Sequence, residues 1–240
     1  MMKRLLKRIG FYYFWLVFGL LFIVFFPAQW ILLQRPAWYP AAHSYRHYWA
    51  KIILFFWGVR YQIINPEYLK ATHPVVICSN HSSYLDILVF CAVFSDDTRF
   101  MAKSELTGIP LFGVFFRTID IEVARESKSE SAMAYRKGVK ALSLKQNLVI
   151  YPEGGIFPDP LKVKPFKDGA FQLALRQKVA ILPVGLPDNY KIIPDEANYA
   201  KPGKIRVILH APLRTDVLTL NDMNLLKATL HQILQNDLGL

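Results

Sequence analysis

The sequence is short of acid, of cysteine and of the glycine-rich signatures that hold nucleotides. Its 240 residues carry 18 Asp and Glu against 29 Lys and Arg, a net charge of +11, and such an excess predicts an anionic partner. Only two cysteines occur, Cys78 and Cys91, each inside an apolar run. That excludes a disulfide framework and a cysteine-based metal site, leaving small buried thiols in a reducing compartment. No G-x-x-x-x-G-K-[ST] loop and no G-x-G-x-x-G is present, so no nucleotide cofactor is expected. The absence of G-x-S-x-G removes the serine nucleophile elbow. No zinc-finger spacing or RNA-binding signature directs the positive charge to nucleic acid.

What the chain does have is an apolar leader. Hydrophobic residues make up 53% of the sequence, and "FYYFWLVFGLLFIVFF" (11–26) is uncharged throughout. It has a basic start (Lys3, Arg4, Lys7, Arg8) but no small-residue cleavage site before "QRPAWYP", so it does not read as a removed signal peptide. A straight span needs about 20 apolar residues, whereas Pro27 and Gln29 sit where one would finish. Basic residues also follow it (Arg35, Arg46, Lys51), so both flanks favour the same, cytoplasmic side. A helix pair bent near Pro27 and dipping into one leaflet satisfies length, proline and charge better than a single crossing. An anionic membrane surface is therefore the expected partner.

Beyond the leader, 44–58 reads as a helix stopped by Gly58, and "VRYQII" (59–64) as a strand. Strand-like and helical segments then alternate: strands at 74–79, 99–103, 118–123, 147–153, 179–186 and 204–210, helices at 83–94, 127–144, 169–177 and 221–238, with 109–117 an apolar helix or loop. The alternation predicts an α/β fold, a mixed and largely parallel sheet with crossover helices. The expected organisation is a membrane-associated helical segment, 1–58, and an α/β domain, 59–240.

Chemistry concentrates in "NHSSYLD" (80–86), between a β-branched strand and an apolar helix. Ser83 and Asp86 have capping-box spacing, so Asp86 can simply stabilise the helix start. If His81 lies on the turn, its ring can also fold back onto Asp86. A carboxylate on one imidazole nitrogen fixes the tautomer and stabilises the imidazolium formed when the other takes a proton. That makes His81 a general base aimed at a hydroxyl, with the serines as caps.

The ordered set N-H-x4-D, "AKSEL" (102–106), Arg125 after an alternating strand, "YPEGG" (151–155), "FKDGA" (166–170) and "VAILPVGL" (179–186) resembles the glycerolipid acyltransferases. Within them it is similar to the bacterial 1-acylglycerol-3-phosphate acyltransferases, over roughly residues 59–210. The resemblance implies that His81 deprotonates the acceptor hydroxyl, oriented by Asp86, and that the hydroxyl attacks an acyl thioester directly. The co-substrate would be acyl-CoA or acyl carrier protein, with no other cofactor and no metal. It further implies phosphate or acceptor contacts from Lys103, Arg125, Glu153, Gly154, Gly155 and Lys167, and an architectural role for Pro183.

The third block departs from the family's common F-P-E-G-T-R-S: Gly155 and Ile156 replace its threonine and arginine. That removes a guanidinium able to grip a phosphate bidentately. Either Lys103, Arg125, Lys164 or Lys167 supplies the charge, or the acceptor is another lysolipid. A hydrolase using the same pair with water, and a non-catalytic lipid-binding protein, are the competing classes. His43 and His47, at i and i+4, lack a third ligand and read as aromatic packing near the membrane surface. His73, His210 and His231 receive no role.

Overall fold

The computed structural model describes residues 2–70, 73–95, 97–103, 107–123, 128–194 and 199–239, with the backbone alone for 2–7, 103 and 128. Two long helices come first, α1 (Met2–Leu32) and α2 (Tyr39–Phe56). The α/β part follows as β1 (Val59–Ile64), β2 (Val76–Ser79), α3 (Leu85–Val93), β3 (Thr98–Lys103), α4 (Gly113–Thr118), β4 (Ile121–Val123), α5 (Lys128–Ser143), β5 (Asn147–Ile150), α6 (Gly169–Gln177), β6 (Ile181–Gly185), α7 (Asn189–Ile192), β7 (Gly203–Leu209) and α8 (Met223–Leu238).

Among the described residues the strands form one seven-stranded sheet in the order β1-β7-β6-β2-β5-β3-β4. From β6 to β4 every neighbouring pair is parallel, and β7 joins β6 antiparallel and β1 parallel. The mixed, largely parallel sheet expected from the alternation of segments is what forms. Parallel strands need crossovers, and the helices that supply them cover both faces.

Side-chain alternation divides the core in two. On β2, Ile77 faces a cluster with α1, α2 and α3, while Val76 and Cys78 face α5, α6 and α8. On β5, Val149 joins the first cluster and Leu148 the second. This is the period of two expected of strands buried on both faces. Both cysteines are buried, and burial pushes the Cys91 thiol up to about 11, consistent with inert packing groups.

Helix α1 continues through Pro27, and the reversal comes at Leu33–Trp38 instead. A proline removes one i→i−4 bond. Here contacts along α2 offset that loss: Tyr45 Oη donates to the Phe25 carbonyl at 3.3 Å and Gln29 Nε2 to that of Ala42 at 3.3 Å. From Gly10 onward, one face of α1 is laid against the rest of the protein. A Cβ on Gly10 would stand 2.3 Å from the Ala200 carbonyl oxygen, Phe14 packs on Trp57 with centroids 3.5 Å apart, and Leu33 clusters with Phe115 and Ile119. Its other face carries Tyr12, Leu16, Leu20, Ile23 and Val24, all more than half exposed.

α2 ends where expected, at Gly58 with φ +69°, a left-handed position that favours glycine. Its histidines, expected from the sequence to serve as aromatic packing, are both buried; His47 packs on Tyr48, and His43 also joins a polar network. His43 Nε2 lies 2.6 Å from Asp97 Oδ1, and Arg46 Nη2 lies 3.1 Å from His43 Nδ1. The buried Arg46 also donates to Asp120 Oδ2 at 2.7 Å and to the Thr98 carbonyl at 2.8 Å. Burial lowers the His43 pKa; its Nδ1 accepts from Arg46, so the neutral ring carries its proton on Nε2. His47 Nδ1 sits 3.0 Å from the Cys91 carbonyl. These contacts fasten α2 to the start of β3 and to the α4–β4 connection.

Candidate active site

β2, β3, β4, β5 and β6 run parallel, so their carboxyl ends share one edge of the sheet, where ligand sites of open α/β sheets form. The loops at that edge carry His81 after β2, the 151–155 turn after β5 and residues 186–193 after β6. Lys103 closes β3 opposite Val123 of β4, with its side chain outside the described residues. Arg125 also lies outside the described residues.

His81 occupies the turn before α3, and its Nδ1 is 2.8 Å from Asp86 Oδ2. The same oxygen accepts from the Ser82 N–H at 2.9 Å and the Ser83 N–H at 3.1 Å. Ser83 Oγ accepts from the Leu85 N–H at 3.1 Å and donates to the Ile193 carbonyl at 2.6 Å. One carboxylate thus both holds the turn, through the Ser82 and Ser83 N–H groups, and pairs with His81, which the turn brings round to the helix entrance. Asp86 Oδ1 accepts from Asn189 Nδ2 at 2.8 Å, and Asp86 is completely buried. A carboxylate accepting from Nδ1–H leaves the Nε2 lone pair as the basic site of the neutral ring. The histidine side chain keeps 14% exposure, enough to reach a ligand at the edge.

The third block supports this turn. Glu153 Oε1 accepts from the His81 N–H at 3.0 Å and Oε2 from the Lys164 N–H at 2.8 Å. The carboxylate is buried, and burial raises its pKa against those two hydrogen bonds. Both oxygens are therefore committed to backbone, and Glu153 ties the 162–168 segment to the histidine turn. Gly154 adopts φ +89° and its N–H donates to the Tyr151 carbonyl at 3.0 Å, so that N–H is spent in the turn. A Cβ on Gly155 would meet nothing within 4 Å, which leaves open space beside it. Lys167 is exposed, with its N–H on the Pro152 carbonyl at 2.9 Å. The Tyr151 ring stacks on His81, centroids 3.9 Å apart at 14°.

These distances bring together His81, Asp86 and Glu153, with the glycine turn and Lys167 alongside. Sequence reasoning missed two asparagines. Asn189 completes the Asp86 carboxylate. Asn80 Nδ2 donates to the Leu186 carbonyl at 3.1 Å, and Asn80 Oδ1 accepts from the Leu186 N–H at 2.8 Å, extending the β2–β6 ladder to the site. The "PDN" after the β6 run signals a turn and helix start, but nothing local links it to Asp86. The pair, the capped turn and the third-block turn all lie within residues 60–187, more than half of the chain, which match the family described as Acyltransferase.

The chain belongs to that acyltransferase family. Among its relatives, human 1-acyl-sn-glycerol-3-phosphate acyltransferase beta is 28% identical over 183 residues, 75% of this chain and 66% of that protein. The 1-acyl-sn-glycerol-3-phosphate acyltransferase of Saccharomyces cerevisiae is 28% identical over 165 residues, 68% of this chain and 54% of its own. The chain thus spans between about half and two thirds of these curated relatives. The crystal structure of the 1-acyl-sn-glycerophosphate acyltransferase PlsC from Thermotoga maritima superposes with a TM-score of 0.75 at 20% identity, covering 99% of this chain and 95% of that one. The acyltransferase fold therefore includes the α1–α2 pair as well as the sheet.

Proposed function

We propose that this acyltransferase-family protein moves an acyl chain from acyl-CoA or acyl carrier protein to the free hydroxyl of a lysophospholipid, 1-acylglycerol 3-phosphate, giving phosphatidic acid. The observation that carries the reading is the His81–Asp86 pair, 2.8 Å apart at the carboxyl edge of the sheet with Nε2 left as the base. In the step, Nε2 takes the hydroxyl proton as the oxygen attacks the thioester carbonyl carbon. The tetrahedral intermediate collapses by breaking the C–S bond, and the imidazolium returns its proton to the leaving thiolate. Asp86 holds the tautomer throughout. No acyl-enzyme is needed.

Acceptor binding is assigned to Lys103, Arg125 and Lys167 as cations and to the 153–155 turn as the wall of the pocket. The same reading divides the chain into a membrane-associated segment, 1–58, and an acyltransferase domain, 59–240. Arg8–Leu32 is long and apolar enough to cross a bilayer. Its packing from Gly10 to Leu33 along the protein favours a helix lying in the cytoplasmic leaflet, with the site on the cytoplasmic side where a water-soluble thioester arrives. Gly155 and Ile156, in place of a phosphate-gripping arginine, favour a second reading of the acceptor: a lysolipid without a phosphomonoester.

The test offers purified protein and its His81→Ala variant labelled acyl-CoA or acyl carrier protein, with lysolipids that do and do not carry a phosphomonoester. Transfer to lysophosphatidate, lost in the variant, is the expected result. Transfer confined to other acceptors would move the proposal to the second reading. Free fatty acid as product would indicate hydrolysis, and activity or binding indifferent to His81→Ala would leave a lipid-binding role.

A further inference from the structure

The Tyr151 ring lies face to face with the His81 imidazole, centroids 3.9 Å apart and planes 14° apart. The same ring meets Phe90 edge-on at 6.0 Å and 79°. The phenol oxygen is buried and has no hydrogen-bond partner among the described residues. So no hydrogen bond among the described residues anchors the ring through its hydroxyl, and its contact with His81 is the π face against the imidazole. A cation over an aromatic face is attracted by the ring quadrupole. In its role as general base the imidazole gains a full positive charge once Nε2 holds the acceptor's proton.

We propose that Tyr151 is a positioning residue for His81: its face fixes the plane in which Nε2 presents its lone pair and stabilises the imidazolium as it forms. This rests on the reading of His81 as the base. The other groups facing the pair are Asp86 at the entrance to α3, Glu153, whose carboxylate holds the His81 N–H, and the buried Cys91 thiol beyond Tyr151. Asp86 fixes one edge of the imidazole and Tyr151 one face. Two constraints in different planes leave the ring a single orientation, which Asp86 alone would not impose.

The test is the pH dependence of kcat/KM for acyl transfer by wild type, Tyr151→Phe, Tyr151→Leu and His81→Ala. Tyr151→Phe keeps the face and drops an unpaired hydroxyl, so its profile should overlay wild type with an unchanged or higher melting temperature. Tyr151→Leu removes the face and makes the imidazole a weaker base. Its acid limb should move down by about half to one pH unit, with kcat lower by about 3- to 30-fold and KM within about twofold. Tyr151→Trp, which keeps a face, should hold the limb at or above its wild-type position, and Tyr151→Met, which also lacks a face, replaces the leucine comparison if that variant does not fold. A leucine variant with lower activity but an unmoved limb overturns the proposal, as does a phenylalanine variant that behaves like leucine. If His81→Ala keeps the wild-type profile, the base assignment itself fails; an inactive His81→Ala with an unmoved leucine limb sinks only the role of Tyr151.

Discussion

Replacing Asp86 by asparagine separates the charge of this residue from its scaffold role. Oδ2 receives three donors, from His81, Ser82 and Ser83, and Oδ1 receives one, from Asn189. An asparagine can keep its carbonyl oxygen on the three-donor side and turn its NH2 towards Asn189. There it would meet another NH2, but the Asn189 Oδ1 is buried without a partner among the described residues. Rotating the Asn189 amide by half a turn converts the clash into a hydrogen bond. The cap and the fold should therefore survive, with melting within about 4 °C of wild type for a cost near 1 kcal/mol. The lost charge is not replaced. An imidazolium and a carboxylate with charge centres roughly 4 Å apart attract by about 4 kcal/mol at an effective dielectric near 20, and each 1.36 kcal/mol in a barrier is tenfold in rate. Acyl transfer by Asp86→Asn should fall about a thousandfold in kcat with little change in KM. The assay is labelled acyl transfer beside a thermal melt. Activity within tenfold of wild type, with an intact fold and an inactive His81→Ala, would refute the assignment of Asp86 as the electrostatic partner.

Other consequences are measurable by melting and activity together. Glu153→Gln turns an NH2 towards one of the two backbone N–H groups the carboxylate now satisfies, and should cost about 1–3 kcal/mol with a fall in activity as the histidine turn loosens. Arg46→Leu leaves Asp120 as a buried carboxylate without its guanidinium; a loss of about 3–5 kcal/mol is expected, partly restored by adding Asp120→Asn. Asp188, gripped by Arg206 and Lys191, has its pKa lowered to about 2 by those hydrogen bonds against the cost of burial. The stability it contributes is fully present above the unfolded value near pH 4 and is lost as pH falls towards 2. Asp188→Asn should lower neutral-pH stability by about 1–2 kcal/mol, after allowance for its partly exposed partners, and flatten the acid branch of a melting-versus-pH curve.

Local patterns were the legible part of the molecule. "VRYQII" and "GAFQLALRQ" coincide residue for residue with β1 and α6, because each is bounded by a change of hydrophobic period and by a stop residue. "TIDIEV" was less transparent. Only 121–123 are strand, since Thr118 finishes α4 and the Asp120 carboxylate is drawn to the Phe100 N–H at 2.9 Å and to Arg46. The pairing of His81 with Asp86 spans five residues and could be read directly. Asn189 lies 103 residues from Asp86, and no periodicity relates a four-residue helix to a capped turn. The same distance hid the fate of His43 and Arg46, whose acidic partners stand fifty or more residues further on. Pro27 misled because a proline reports the loss of one hydrogen bond, whereas the packing of α1 on α2 decides whether the helix stops.

Those acidic partners also set an order of events. Arg46 and His43 stand on α2, whereas their acidic partners Asp120 and Asp97 come fifty or more residues later in the chain, so Arg46 has no carboxylate to pair with until those are made. A charge of that kind costs about 2.5–3.5 kcal/mol at the centre of a bilayer, which disfavours burying the unpaired Arg46 side chain in lipid. Once Asp97 and Asp120, which stand just before β3 and β4, are in place, Asp120 takes the Arg46 guanidinium and Asp97 takes His43, sealing α2 onto the sheet. The buried network thus couples the seating of the first fifty residues to the completion of the sheet.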